Sequence, residues 1–222
     1  MKVAATDRRS AIRANQRNRA LTRLSLAALG VVFGFPGSTL AGAKPVATIT
    51  ILVYNYAQVP PGIFAAAERE AFRILDAARV RVVWVDCLEK PPIIESEALC
   101  RRGWTQQTPA VRLLSGHVTG MYQDLEFGFA AIPVLATVNY ERIARRAGRD
   151  DAPYILPIIL GCAMAHELGH LLLRDPGHST TGIMQPRWGD QQTQQALTGQ
   201  LRFTTPQAKL IRERALVLHD YK

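Results

Sequence analysis

The sequence predicts an α+β fold: a twisted, mixed sheet with a helix after the first strand, a long buried helix and a closing C-terminal helix. Three observations carry that reading. A β-branched run, an amphipathic run and a second β-branched run follow one another between Val46 and Val85, the pattern of a strand–helix–strand unit with parallel strands. Tyr154 to Leu173 is apolar nearly all round, which marks a helix buried on every side. Gln207 to His219 carries Ala208, Ile211, Ala215 and Leu218 on one face at helical spacing.

Taken in order, Val46, Thr48, Ile49, Thr50, Ile51 and Val53 make Val46 to Tyr54 the first strand. Pro60-Pro61-Gly62 breaks the chain. Ile63 to Ala78 is helical, with Phe64, Ala67, Ala71, Phe72, Leu75 and Ala78 as its inward set. Val80 to Val85 is the second strand. Cys87 and Cys100 flank a loop containing Pro91 and Pro92, and a disulfide between them would staple it. Ala110 to Leu114 is the third strand. Residues 116 to 132 are Gly-rich, with Phe127 and Phe129 alternating as in an edge strand. Pro133 to Tyr140 is a further strand, Tyr140 to Ala147 a short helical turn, and Gly148 to Pro153 a linker within the domain. Thr205 is the N-cap expected for the last helix, with Pro206 at its first position.

The chain has 222 residues, 27 basic and 18 acidic, for a formal net charge of +9. That charge is unevenly placed. Residues 1 to 43 hold seven Lys/Arg and one acid, Asp7, so residues 44 to 222 carry a net of only +3. Whole-chain charge is therefore no argument for nucleic acid, and no nucleic-acid partner is expected. Arg8, Arg9, Arg13, Arg17, Arg19 and Arg23 precede an apolar run, Leu24 to Phe35, and then Gly37, Ser38, Ala41, Gly42 and Ala43. Charged, apolar and small-residue segments in that order predict a signal peptide over 1–43, cleaved at Ala41-x-Ala43, with one domain over 44–222. The protein is then exported, to the exterior, the periplasm or the cell envelope. Membrane association is expected only if that segment is an uncleaved anchor. Two further cysteine readings fit export: a Cys87–Cys100 disulfide, and Cys162 as a small buried apolar residue.

The chemistry lies in His166-Glu167-Leu168-Gly169-His170. Residues four apart share one face of a helix, so His166 and His170 can turn ring nitrogens toward one cation. Glu167 stands beside the first and can reach a water on the metal without binding the metal. This is the H-E-x-x-H zinc peptidase pattern, with the carboxylate as general base. Catalytic zinc takes three protein ligands plus a water. Pro176 and Gly177 stop the helix, and His178 just beyond them is the obvious third ligand. Gly182-Ile183-Met184-Gln185-Pro186 comes next. His117 and His219 are isolated and are read as ordinary surface or capping residues. Tyr154 to Leu173 is also long enough to span a membrane, but an intramembrane site needs several packed helices, so a core helix is expected.

With its helix break, third His followed by Ser, and short loop to a Met, this stretch resembles the metzincin metallopeptidases, and most of all their matrixin branch. The resemblance covers Ala165 to Pro186 and implies His166, His170 and His178 as zinc ligands, Glu167 as base and Met184 as the Met-turn. The family pattern is H-E-x-x-H-x-x-G-x-x-H. Here His178 comes eight residues after His170 rather than six, and Leu173 stands where the family has Gly. Asp175 and Asp190 are the alternative third ligands.

The expected function is zinc-dependent endopeptidase activity on a peptide or protein substrate. Two alternatives stand beside it: an exported zinc-binding module that cleaves nothing, and a zinc peptidase with an acidic third ligand. Glu167 argues against the first, and the lack of any Glu between Arg174 and Gln207 argues against the second. Members of the resembled family often carry a pro-segment. None is expected here, because the first strand begins within a few residues of Lys44 and no Cys precedes Cys87.

Overall fold

A computed structural model describes residues 46–88, 94–116, 127–148 and 152–219 of the chain. The expected signal segment, His117 and the side chain of His219 lie outside the described residues. Among the described residues, five strands form one mixed sheet: β1 (Ala47–Asn55), β2 (Val80–Asp86), β3 (Ala110–Leu114), β4 (Gly128–Ala131) and β5 (Leu135–Asn139). Their order is β2-β1-β3-β5-β4. β1 pairs in parallel with β2 and β3, and β3 with β5, while β4 runs antiparallel along the outside of β5. The antiparallel edge strand that Phe127 and Phe129 foreshadowed therefore borders an otherwise parallel sheet.

Six helices accompany the strands among the described residues: α1 (Pro61–Ala77), α2 (Ile94–Arg102), α3 (Tyr140–Ala147), α4 (Ala152–Leu173), α5 (Asp190–Leu197) and α6 (Thr205–His219). α1, α4 and α6 pack on one face, over Ile49, Ile51, Val53, Val82, Val111, Leu113, Ala136 and Val138. Leu52, Tyr54, Val85, Ala110 and Leu135 face the other way, against Leu99 and the two cysteines. Strand side chains alternate between faces, and the continuous apolar stretch Ile51-Leu52-Val53-Tyr54 of β1 fits cover on both faces. Cys87 and Cys100 form the expected disulfide, with Cα atoms 5.3 Å apart, within the usual span of such a bond.

Four details differ from the sequence reading. The disulfide loop contains α2, whose Glu95 and Glu97 open it and Arg101 and Arg102 close it, the arrangement the helix dipole favours. α5 fills a stretch for which the apolar pattern signalled no element. Phe72 is not part of the inward set of α1, being 37% exposed, and Ile74 takes its place at 0%. The cap of α6 is Thr204 rather than Thr205: its N–H donates to Gln207 Oε1 at 3.0 Å, the reciprocal half of a capping box.

α4 is the one helix among the described residues long and apolar enough to cross a membrane, and 89% of its apolar window is buried within the protein. It serves as the central core helix. Cys162 on it is wholly buried, and burial pushes its thiol up, consistent with an inert packing role.

On α1, burial, reinforced by Asp86, pushes the Glu68 carboxyl up to about 7 from 4.5, with Arg69 opposing. The folded state therefore holds this proton more tightly than the unfolded chain. The penalty for ionising Glu68 is absent below about pH 4.5, grows up to pH 7 and is complete above it. Glu68→Gln should accordingly raise the urea midpoint more at pH 8 than at pH 4.5. An equal change at both pH values would remove Glu68 as a titrating group.

Candidate active site

α4 presents His166, Glu167 and His170 from a buried position, at 8%, 4% and 5% exposure. An otherwise apolar helix buries such groups at a cost unless they are partnered, and the two histidines have specific partners. His166 Nδ1 lies 2.7 Å from the Ile183 carbonyl, and His170 Nδ1 lies 2.7 Å from the Asp175 carbonyl. A carbonyl only accepts, so each Nδ1 carries a hydrogen and donates it. In a neutral imidazole the other nitrogen is then a bare lone pair. The two Nε2 atoms face each other at 3.2 Å.

His178 completes the group. Its ring centroid is 5.4 Å from that of His166 and 4.9 Å from that of His170. One nitrogen from each of the three rings falls within 4.8 Å of the others, an arrangement that could hold a metal ion. Burial pushes His166 down to about 3, and lowers His170 and His178 as well. All three are therefore neutral at neutral pH, the form that ligates metals.

The alternative acidic ligands are occupied elsewhere. Asp175 Oδ1 accepts from the Gly177 N–H at 2.8 Å. Asp190 opens α5, is exposed, and lies 3.5 Å from Arg146. Neither belongs to the histidine group.

Glu167 points its carboxyl beneath β4. Its Oε2 is buried without a hydrogen-bond partner among the described residues, and burial pushes the carboxyl up to about 8. Gly128 admits it: a Cβ at 128 would lie 2.8 Å from Glu167 Oε1 and would also collide with the Thr137 carbonyl. The apolar pattern does not single out Gly128, although an isolated Gly in a strand often marks a close approach.

Met184 is 1% exposed and packs under α4. A Cβ on Gly169 would meet Met184 Sδ at 2.6 Å and Phe203 at 2.7 Å, so Gly169 is what lets the turn close on the helix. The turn is held at both ends: Ser179 N–H donates to the Met184 carbonyl at 2.9 Å, and Ile183 N–H to the Arg202 carbonyl at 2.8 Å. The second bond matters for the site, because the Ile183 carbonyl orients His166. Trp188, 4% exposed, stands 5.9 Å from His166 and 5.4 Å from Phe127, ring to ring. Sequence reasoning missed it. The three histidines, Glu167 and Trp188 line a cleft of about 370 Å³ whose remaining walls are largely apolar, including Phe129, Ile132 and Pro186.

The fold and the site together define an α+β protein with three converging histidines and a buried carboxyl at the edge of an antiparallel strand. No protein-family model matches the sequence, and no curated protein matches it. Solved structures do. A zinc-dependent peptidase from Methanocorpusculum labreanum is similar with a TM-score of 0.50 at 18% identity, over 72% of this chain and 99% of that one. An archaemetzincin from Methanopyrus kandleri is similar with a TM-score of 0.50 at 17% identity, over 75% of this chain and 95% of that one. At such identities the likeness is one of fold: the chain folds as zinc-dependent peptidases do.

Proposed function

We propose that the protein is a zinc-dependent endopeptidase of the metzincin type, with His166, His170 and His178 as zinc ligands and Glu167 as general base. The observation that carries this reading is the pair of bare Nε2 lone pairs facing each other at 3.2 Å, beside a buried carboxylate oxygen with no partner among the described residues. Lone pairs so placed repel unless a cation lies between them. Three neutral imidazoles suit zinc, and both buried rings are oriented by carbonyls at Nδ1, as metal-bound histidines are.

When bound, zinc supplies a Lewis acid for a peptide carbonyl and brings the pKa of a water to about 7. The chain's own residues do the rest. His166 and His170 stay neutral and fixed in tautomer. Glu167 takes a proton from water, holds it, and delivers it to the departing amine. A cation nearby favours the ionised carboxylate and so opposes the burial that pushes Glu167 up. Gly128 leaves the Glu167 carboxyl its space, because a Cβ there would press on Oε1.

The metzincin assignment is supported by Met184 beneath the helix and by the His178 turn, and its matrixin branch by Met184-x-Pro186. The substrate class is peptide or protein, supported by the folds of the similar structures. Export is supported by the disulfide and by the charge and apolar order of residues 1–43. Purified chain should contain about one zinc and cleave casein, with chelation abolishing both. Zinc without cleavage would favour the non-catalytic module. For exported protein, an intact mass starting at Lys44 is expected, and a mass retaining residues 1–43 would favour an anchor.

A further inference from the structure

His178 stands eight residues beyond His170, yet its ring meets the other two at about the same distance as they keep from each other. Resting on the zinc reading, we propose that Asp175 is a positioning residue: its side chain shapes the turn that carries His178 to the cluster, while its backbone orients His170.

α4 ends in a two-bond closure. Arg174 N–H donates to the Leu171 carbonyl and Asp175 N–H to the His170 carbonyl, both at 3.3 Å, the hydrogen-bond pattern of a Schellman motif. Its left-handed residue is Arg174, with φ of 47°, where a glycine is usual. The helix thus runs through Leu173 before it turns, which uses up the extra residues between His170 and His178.

Asp175 is the hinge between the helix end and His178. Its carbonyl receives the His170 Nδ1 hydrogen at 2.7 Å while its own N–H returns to the His170 carbonyl, so His170 is gripped by its ring and its backbone. Its Oδ1 receives the Gly177 N–H at 2.8 Å. This side-chain turn spans Pro176, whose φ is fixed and which has no N–H to offer. Gly177 immediately precedes His178. The direction in which the chain leaves Gly177 therefore sets where the third imidazole arrives, and His178 is itself exposed, with little packing of its own to hold it.

A turn-forming role and a charge or ligand role make opposite demands on the side chain. Asparagine keeps the acceptor at the same distance and removes the charge. Glutamate keeps the charge and, one methylene longer, does not close the same turn. The test measures zinc affinity of the full chain by competition with a chromophoric chelator, with cobalt(II) absorption as a second readout of the three-histidine geometry. Asp175→Asn should stay within about threefold of wild type, with an unchanged cobalt spectrum. Asp175→Glu and Asp175→Ala should weaken zinc roughly 10- to 100-fold, the usual effect of losing a group that orients ligands, and should alter the spectrum. The inference is overturned if Asp175→Asn binds as weakly as Asp175→Glu, or if Asp175→Glu binds like wild type. The Asn and Glu variants decide the matter even if Asp175→Ala does not fold. A wild-type chain that takes up no zinc would instead remove the functional reading on which the inference stands.

Discussion

Glu167→Gln is expected to leave about one zinc per chain and to lower the rate of protein cleavage by about two to four orders of magnitude, the range a positioned general base contributes. The change keeps volume and shape, which matters because the side chain is 4% exposed and Gly128 leaves it just enough room. It removes only the ability to take up a proton. Neither His166 nor His170 hydrogen-bonds to Glu167; both are oriented by carbonyls, so the ligand set should survive. Metal analysis and casein cleavage, run on the same preparation, are the check. Zinc lost in step with activity would take Glu167 out of the base role, and full activity in the variant would end the proposal.

His178→Ala should weaken zinc by on the order of a hundredfold or more, if one ligand carries roughly a quarter of the ~10–16 kcal/mol typical of a four-ligand zinc site. Asp190→Ala should leave zinc affinity unchanged, because Asp190 lies at Arg146 rather than in the cluster. His178 is exposed and contributes nothing to the core, so its loss should leave the metal-free protein folded. Competition with a chelator gives the affinities, and melting without metal confirms the fold. If Asp190→Ala strips the metal and His178→Ala does not, the three-histidine site is wrong and an acidic third ligand replaces it.

The elements readable from sequence were those whose burial is written in a repeating pattern. α4 is apolar on every side, and its two histidines four residues apart announce a shared cation. β1 and β2 are β-branched runs separated by one amphipathic helix. The edge strand showed through Phe127 and Phe129. α2 and α5 were not read because they bury little. None of the α2 residues is fully buried, and α5 buries only Ala196, so neither leaves a strong apolar period. The signal for α2 was electrostatic instead, in the charges at its two ends. Phe72 fell outside the core because spacing alone does not distinguish the centre of a helix face from its flank.

Sequence by itself determined that His166 and His170 share a helix face with Glu167 beside them, because that arrangement is local: four residues make roughly one helical turn. What tertiary structure decided is everything that depends on two distant segments meeting. The longer His170–His178 spacing leaves the third ligand open on paper. Only the fold brings His178 against the two buried rings, in a group that could hold a metal ion. The tautomers of His166 and His170 rest on the Ile183 and Asp175 carbonyls, and the first of these is held by the Arg202 carbonyl bonded to Ile183 N–H. The raised carboxyl of Glu167 depends on β4 closing over it with Gly128 in place of any side chain. Burial and orientation come from contacts across the fold, and a motif records neither.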